Sequence, residues 1–158
     1  MKILIRRAII SDLSELKELY QDTVLTVNRE DYTKEEVKDW ASCGNDIEHW
    51  SELLKEHHYI VAENENGMIV GFASVNDYGY MNALFVHKNF LRNGIATSLY
   101  KYVEMYAKEI GVEALTSEVS ITAKPFFEKQ GFQVDAQWER QANRLKLTNY
   151  KMSKRLKH

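Results

Sequence analysis

The segment from Leu84 to Thr97 carries the residue pattern with the clearest chemical meaning. It reads Leu-Phe-Val-His-Lys-Asn-Phe-Leu-Arg-Asn-Gly-Ile-Ala-Thr, so an apolar run leads through a short polar stretch to Gly-x-Ala at the start of a helical pattern. Backbone N–H groups at a helix N-terminus carry partial positive charge, and small residues let a phosphate approach the main chain closely. Arg92 adds a fixed charge, and the Thr97 and Ser98 hydroxyls add donors. The pattern indicates a phosphate site, with a simple tight turn at Gly94 as the structural alternative.

Two common nucleotide-binding motifs are missing from the sequence. A P-loop needs Gly-x-x-x-x-Gly-Lys-Ser/Thr and a dinucleotide-binding fold needs Gly-x-Gly-x-x-Gly, and neither string occurs. The segment by itself therefore does not name the ligand.

A second motif follows the helix and reads Ser120-Ile-Thr-Ala-Lys-Pro-Phe-Phe-Glu-Lys-Gln-Gly-Phe132. Together with the stretch Val86–Ala96, it resembles the GCN5-related N-acetyltransferase (GNAT) superfamily. That family carries Val-x-x-x-x-Gln/Arg-x-x-Gly-x-Gly/Ala after its fourth strand and, later, Asn-x-x-Ala-x-x-Phe-Tyr-x-x-x-Gly-Phe. The resemblance spans essentially the whole chain. It is strongest to small bacterial members whose N-terminal helices carry Asp-Tyr-Thr and a Trp, here Asp31-Tyr32-Thr33 and Trp40.

The resemblance implies transfer of acetyl from acetyl-CoA to a primary amine of a small molecule or peptide, by direct attack in a ternary complex. Acetyl-CoA would lie in a V-shaped gap between the fourth and fifth strands. Main-chain amides near Leu91–Thr97 would hold its pyrophosphate, and Leu84–Val86 would pair with its pantetheine arm. The full set expected to bind the cofactor is Leu84, Phe85, Val86, Leu91, Arg92, Asn93, Gly94, Ile95, Ala96, Thr97, Ser98, Ser120, Phe126, Phe127 and Lys129.

Three positions depart from the family pattern. Leu91 stands where the family has Gln or Arg, Ser120 replaces the usual Asn, and Phe127 replaces a Tyr often assigned as the acid that protonates the thiolate. The family contacts at the first position are mainly through backbone, and Arg92 lies next to it. The Ser120 hydroxyl, or a water it holds, is the donor left for the thiolate.

The amine side needs a base, because an alkylammonium must lose a proton before it attacks a thioester. Glu118, near the end of the fifth strand, is the leading candidate, and a solvated or salt-bridged sheet residue is the alternative. Tyr80 and Asn82 occupy the strand face where related enzymes often carry a carboxylate. The first helices of this fold form a wall of the acceptor pocket, so Tyr32 and Trp40 are expected to bind substrate together with Tyr80 and Asn82. The alternative for Tyr32 and Trp40 is a purely structural role in the core.

Cysteine and histidine offer weaker alternatives. Cys43 is the only cysteine, which excludes an internal disulfide, and it lies between two predicted helices where a bystander thiol is expected. His49, His57 and His58 match no known metal-ligand spacing, so no metal site is expected.

The elements that position these residues follow from periodicity. A strand at Lys2–Arg7 precedes three helices, and three antiparallel strands follow, the last being Tyr80–Val86. A helix from Gly94 to Ile110, a strand, a short helix and a closing hairpin complete the order. The prediction is an α/β protein with the GNAT fold, whose mixed, mostly antiparallel central sheet of six to seven strands is flanked by helices. One N-acetyltransferase domain over residues 1–158 is expected.

Composition narrows the function classes further. The 158 residues are 44% hydrophobic and 28% charged with a net charge of −2, which is typical of a globular domain and unlike a disordered chain. No apolar run reaches the length of a membrane span, and the charge offers no attraction to nucleic acid. We therefore expect a cytoplasmic protein with no nucleic-acid or membrane partner, with a homodimer left open. A CoA-binding sensor with little catalysis is the alternative function, because Tyr and Asn are lost from the second motif.

Overall fold

Eight strands and five α-helices follow one another in the computed structural model, which describes residues 2–157. The strands are β1 (Leu4–Arg7), β2 (His58–Glu63), β3 (Ile69–Val75), β4 (Tyr80–Met81), β5 (Ala83–Val86), β6 (Ala114–Ser120), β7 (Gln133–Gln141) and β8 (Lys146–Arg155). The helices are α1 (Leu13–Thr26), α2 (Lys34–Ser42), α3 (Ile47–Glu56), α4 (Ile95–Glu109) and α5 (Lys124–Lys129). The predicted order of elements is confirmed, and no helix within residues 2–157 is long and apolar enough to span a bilayer.

The strands form two four-stranded sheets, in the orders β1-β2-β3-β5 and β4-β6-β8-β7. Every pairing is antiparallel except that of β4 with β6, which is parallel. Because β4 and β5 are the two halves of one extended run, the sheets amount to seven strands. The predicted mixed, mostly antiparallel sheet is confirmed.

The run Tyr80–Val86 is not the single continuous strand predicted from its apolar residues. It breaks at Asn82, so Tyr80 and Met81 pair with β6 while Ala83–Val86 pair with β3. After the break, β5 and β6 are no longer hydrogen-bonded to each other, and the two sheets separate. This divergence is the gap that the resemblance implied.

Helix ends follow the local chemistry of the sequence. Thr33 and Glu36 form a capping box at α2, and the Asp46 carboxylate accepts from the His49 N–H at the start of α3. Asp12 is the N-cap of α1, but its side chain makes no capping hydrogen bond to the helix. The Asp12 carboxylate instead accepts two bonds from the Arg6 guanidinium and one from the Ile9 N–H.

The core lies on both faces of the first sheet. Helix α4 packs its buried stripe against one face, with Leu99 and Val103 at its centre, and α1 and α3 cover the other face through Leu16 and Trp50. Gly71 on β3 is small enough to admit α4, since a Cβ there would lie 3.0 Å from the Ile95 side chain. The first turn of α4 is thereby held against the end of the gap.

Candidate active site

A cavity of about 400 Å³ fills the gap between the diverging sheets and continues under the N-terminal helices. Residues of β5 line one side and residues 117–120 of β6 line the other. Side chains from α1, α2 and α3 close it at one end, and the start of α4 borders the other. The shape combines an elongated slot with a deeper pocket beneath the helices.

The slot side of β5 presents main-chain groups. The His87 N–H donates to the Val70 carbonyl at 2.8 Å, and hydrogen bonding in an antiparallel pair alternates along the strand. The N–H and C=O of Phe85 therefore point toward β3, whereas those of Leu84 and Val86 point into the slot. The Thr23 hydroxyl donates to the Val86 carbonyl at 3.2 Å, consistent with that direction. Phe85 thus lines the cavity with its side chain alone.

The turn before α4 is built from left-handed residues. Arg92 has φ of +63° and Gly94 has φ of +78°, and Gly94 is the N-cap of the helix. Residues other than glycine rarely adopt a positive φ, so the backbone at Arg92 is strained, as is often found at ligand sites. A Cβ built on Gly94 would meet no protein atom within 4 Å. The helix N-terminus is therefore open to an approaching anion.

The end of β6 brings several polar groups to the slot. The Ser120 hydroxyl accepts from the Ala123 N–H at 3.1 Å, which closes the turn into α5 and leaves its own proton free to donate. Asn149 lies directly opposite Ser120 on β8 and lines the same cavity. The Asn149 Oδ1 and the Thr122 Oγ1 are buried without a hydrogen-bond partner. Buried polar atoms are normally paired, so these two indicate a place for ligand N–H groups.

Glu118 is held in an ion pair. Its carboxylate lies 2.9 Å from the Arg140 guanidinium, which reaches in from β7. Tyr80 is a neighbour of both: burial raises the pKa of its hydroxyl, the Glu118 charge adds to the increase, and Arg140 opposes it. Glu118 is thus both salt-bridged and part of the cavity lining.

The Tyr32 hydroxyl makes two hydrogen bonds, both to main-chain groups. It donates to the Thr148 carbonyl at 2.7 Å and accepts from the Ile121 N–H at 2.8 Å. Burial raises the pKa of Tyr32 to about 12, so this hydroxyl stays protonated. Its ring packs edge-on against Trp40, with centroids 5.5 Å apart. Tyr32 therefore joins the N-terminal helices to β8 and the end of β6, and offers the cavity only its ring.

The pocket beneath the helices has an aromatic wall. Tyr20 packs edge-on against both Trp50 and Phe85, and its hydroxyl donates to the Trp40 carbonyl at 3.0 Å. The Asn82 amide donates to the Tyr59 hydroxyl at 3.1 Å, next to the strand break. The Phe, Tyr and Trp side chains that line the cavity as a whole are Tyr20, Tyr32, Trp40, Trp50, Tyr59, Phe72, Phe85, Phe126 and Phe127.

The predicted site residues divide into two groups. Lining the cavity are Leu84, Phe85, Val86, Leu91, Ala96, Ser120, Phe126 and Phe127 of the cofactor set, with Glu118, Tyr32, Trp40 and Asn82. Outside the lining are Arg92, Asn93, Gly94, Thr97 and Ser98 at the start of α4, the core residue Ile95, the half-buried Tyr80 and the exposed Lys129. Because Ile95 is 2% exposed, only its main chain is available to a ligand. Lys129 is the last residue of α5 and is exposed.

Sequence reasoning missed Arg140, Asn149 and the cavity position of Cys43. The first two lie on the closing hairpin, where no local pattern marks them, and only strand pairing brings them to β6. Cys43 lines the cavity at the end of α2. Burial, and then the Asp39 carboxylate, raises the pKa of the Cys43 thiol, so it is not an activated thiolate.

Comparisons with known proteins agree with this geometry. Residues 28–154 match the model of the acetyltransferase (GNAT) domain family. The chain is 31% identical over 147 residues to the uncharacterized N-acetyltransferase YafP of Escherichia coli, covering 93% of this chain and 92% of that one. A GCN5-related N-acetyltransferase of Rhodopseudomonas palustris is similar in structure, with a TM-score of 0.94, 25% identity and coverage of 99% and 97%. The PaiA N-acetyltransferase of Thermoplasma acidophilum, solved with coenzyme A, has a TM-score of 0.80 at 18% identity over 99% and 100%.

Proposed function

Because the chain belongs to the GNAT acetyltransferase family, we propose that it transfers acetyl from acetyl-CoA to a primary amine by direct attack in a ternary complex. The observation that carries the proposal is the break at Asn82, which opens one continuous cavity from the α4 turn to the pocket under the helices. A slot that meets a pocket brings two substrates together without a covalent enzyme intermediate.

The slot fits the chemistry of coenzyme A. The left-handed turn at Arg92 and Gly94 offers main-chain N–H groups to the pyrophosphate, and a Cβ at Gly94 would point into open space. The main-chain groups of Leu84 and the N–H of Val86 are placed to pair with the pantetheine amides, whereas the Val86 carbonyl already accepts from the Thr23 hydroxyl. The unpaired Asn149 Oδ1 is an acceptor for a pantetheine N–H, beside the position where the family pattern has an Asn amide. Asn149 thus compensates from the neighbouring strand for Ser120.

On the amine side, Glu118 removes one proton from the ammonium group. The nitrogen lone pair then forms the C–N bond to the acetyl carbonyl carbon as the C–S bond breaks, and sulfur leaves with the electron pair. The nitrogen loses its second proton and the sulfur gains one, so the net products are the amide, the free thiol and one proton on Glu118. Ordinary solvent exchange returns that carboxyl to its charged form.

Ser120 supports departure of the sulfur. Its hydroxyl oxygen is occupied by the Ala123 N–H, which fixes the orientation of the free O–H. Phe127, where the family has Tyr, is 3% exposed and has no proton to donate. A water held by Ser120 is the better donor, because a serine hydroxyl is itself a very weak acid.

The proposal is tested by the release of free thiol from acetyl-CoA with a panel of small amines, peptides and aminoglycosides. Cys43→Ala should retain the rate, and intact mass should show no acetyl group on the wild-type protein. Parallel initial-rate lines, or an acetyl adduct on Cys43, would contradict direct transfer. If coenzyme A binds but no amine supports thiol release, the CoA-binding sensor is the better description.

A further inference from the structure

The charged groups of the cavity indicate which kind of amine it takes. Among the described residues that line the cavity, Glu118 and Arg140 carry full charges of opposite sign, and they face each other at 2.9 Å. One negative and one positive group thus stand side by side at the edge of the acceptor pocket. A ligand that carries both charges on neighbouring atoms can satisfy both partners at once.

The pair is accessible enough to be exchanged. The Arg140 side chain is 52% exposed and that of Glu118 is 22% exposed, and ion pairs open to solvent contribute little net stability. Tyr20 and Cys43 both lie in the helical wall of the pocket, and burial raises the pKa of each. The Arg140 charge acts in the opposite direction and lowers both pKa values. The guanidinium therefore acts on the interior of the pocket and not on Glu118 alone.

Arg140 is held over the pocket by the closing hairpin. The Asp39 carboxylate of α2 accepts the main-chain N–H groups of Asn143, Arg144 and Leu145, at 3.0, 2.8 and 2.9 Å. Because α2 also walls the pocket, this contact fixes the end of β7 relative to it. The backbone that carries Arg140 is thereby held beside the aromatic lining, while its exposed side chain is free to move.

The remaining lining excludes other classes of amine. A polyamine would need several carboxylates, whereas the pocket offers one that is already neutralised by Arg140. The aromatic wall, which includes Tyr20, Trp50 and Phe85, suits a flat or branched apolar group. An aminoglycoside matches neither the charge pair nor the wall.

Resting on the acetyl-transfer function proposed above, we propose that the acceptor is a free α-amino acid or a close analogue with an apolar, preferably aromatic, side chain. Its carboxylate binds the Arg140 guanidinium, its ammonium group replaces that guanidinium at Glu118, and its side chain enters the aromatic pocket. Binding of the carboxylate draws Arg140 away, so the same event that positions the amine frees Glu118 to accept the proton. Arg140 is then a substrate-binding and specificity-determining residue.

The test is equilibrium binding to the CoA-saturated protein by titration calorimetry, which requires no turnover. The ligands are L-phenylalanine, phenethylamine and 3-phenylpropionate, with L-leucine and isopentylamine as a second pair. We expect each amino acid to bind at least tenfold more tightly than its analogue lacking one charged group, since an analogue leaves a charged protein group unpaired. Arg140→Gln should remove the preference for the carboxylate. The matched control Arg144→Gln, an exposed arginine of the same hairpin outside the cavity lining, should retain it.

Equal or tighter binding of the decarboxylated amines, no binding of either amino acid, or no effect of Arg140→Gln would overturn the inference. If Arg140→Gln does not fold, the wild-type ligand series decides alone. Thiol release separates this inference from the function on which it rests. Acetylation of phenethylamine but not phenylalanine would leave acetyl transfer standing and refute the amino-acid site. Arg140-dependent binding of phenylalanine without thiol release under any condition would support the amino-acid site and refute acetyl transfer.

Discussion

Replacement of Gly94 by valine tests the contact proposed between the main chain and the pyrophosphate. At a hundredfold excess over its dissociation constant, coenzyme A should add about 2.7 kcal/mol of apparent stability. With an unfolding entropy of about 2.1 cal/mol/K per residue over 158 residues, this corresponds to a rise in Tm of about 8 °C. A Cβ at Gly94 meets no protein atom within 4 Å, so the fold itself has room for the new side chain.

Two effects of Gly94→Val can be separated. The residue has φ of +78°, and a left-handed conformation costs an L-residue about 1–2 kcal/mol, so the unliganded Tm should fall by about 3–6 °C. The side chain also occupies the space in front of the helix N-terminus. If it weakens binding a hundredfold, the same ligand concentration adds only about 0.4 kcal/mol, or about 1 °C.

Gly111 provides the matched control at the opposite end of α4. It has φ of +82° and also meets nothing within 4 Å, so Gly111→Val should show the same strain. Differential scanning fluorimetry with and without coenzyme A should give the full ligand shift in that variant and almost none in Gly94→Val. A folded Gly94→Val protein with an undiminished shift would refute the phosphate site.

Three further results are expected. Phe127→Tyr should leave coenzyme A affinity unchanged and raise kcat when chemistry limits the rate. Ser120→Ala should lower kcat in the wild-type background and lower it less when combined with Phe127→Tyr. Additive effects of the two substitutions in steady-state kinetics would contradict two alternative proton donors at one site. Tyr32→Phe removes the partner of two main-chain groups and should lower the free energy of unfolding by about 1–3 kcal/mol in a urea titration, while a change below about 0.5 kcal/mol would show that the bonds are replaced. Hydrogen bonds from main-chain N–H groups lower the pKa of Asp39 below its ordinary 3.8. Its stabilisation is therefore complete above that value and is lost as pH falls through the lowered pKa, so Asp39→Asn should flatten the acid limb of stability below pH 3.8.

Local sequence determined the helices and the turns, including the left-handed turn that precedes α4. The capping box at Thr33 and the cap at Asp46 depend on residues three positions apart, so a short window contains the information. The left-handed turn at Gly94 follows from the same local logic, because glycine adopts a positive φ without steric cost. The apolar stripes of the helices also fixed which face of each one is buried.

Only the tertiary structure decided where the sheet opens. The run Tyr80–Val86 is apolar on both faces except at Asn82, and its pattern predicts a continuous central strand. The break at Asn82 arises because β3 and β6 compete for the same run and each pairs with one half of it. Such competition involves residues far apart in the chain and leaves no trace in local periodicity.

The charge pair of the acceptor pocket is likewise a product of strand order. Glu118 could be read as a candidate base from its place near the end of a strand, but Arg140 belongs to another element and shares no motif with it. Pairing of β8 with both β6 and β7 brings the two side chains within hydrogen-bond distance. The short motifs of the sequence thus determined the family, whereas the Glu118–Arg140 pair in the cavity depends on long-range pairing between strands.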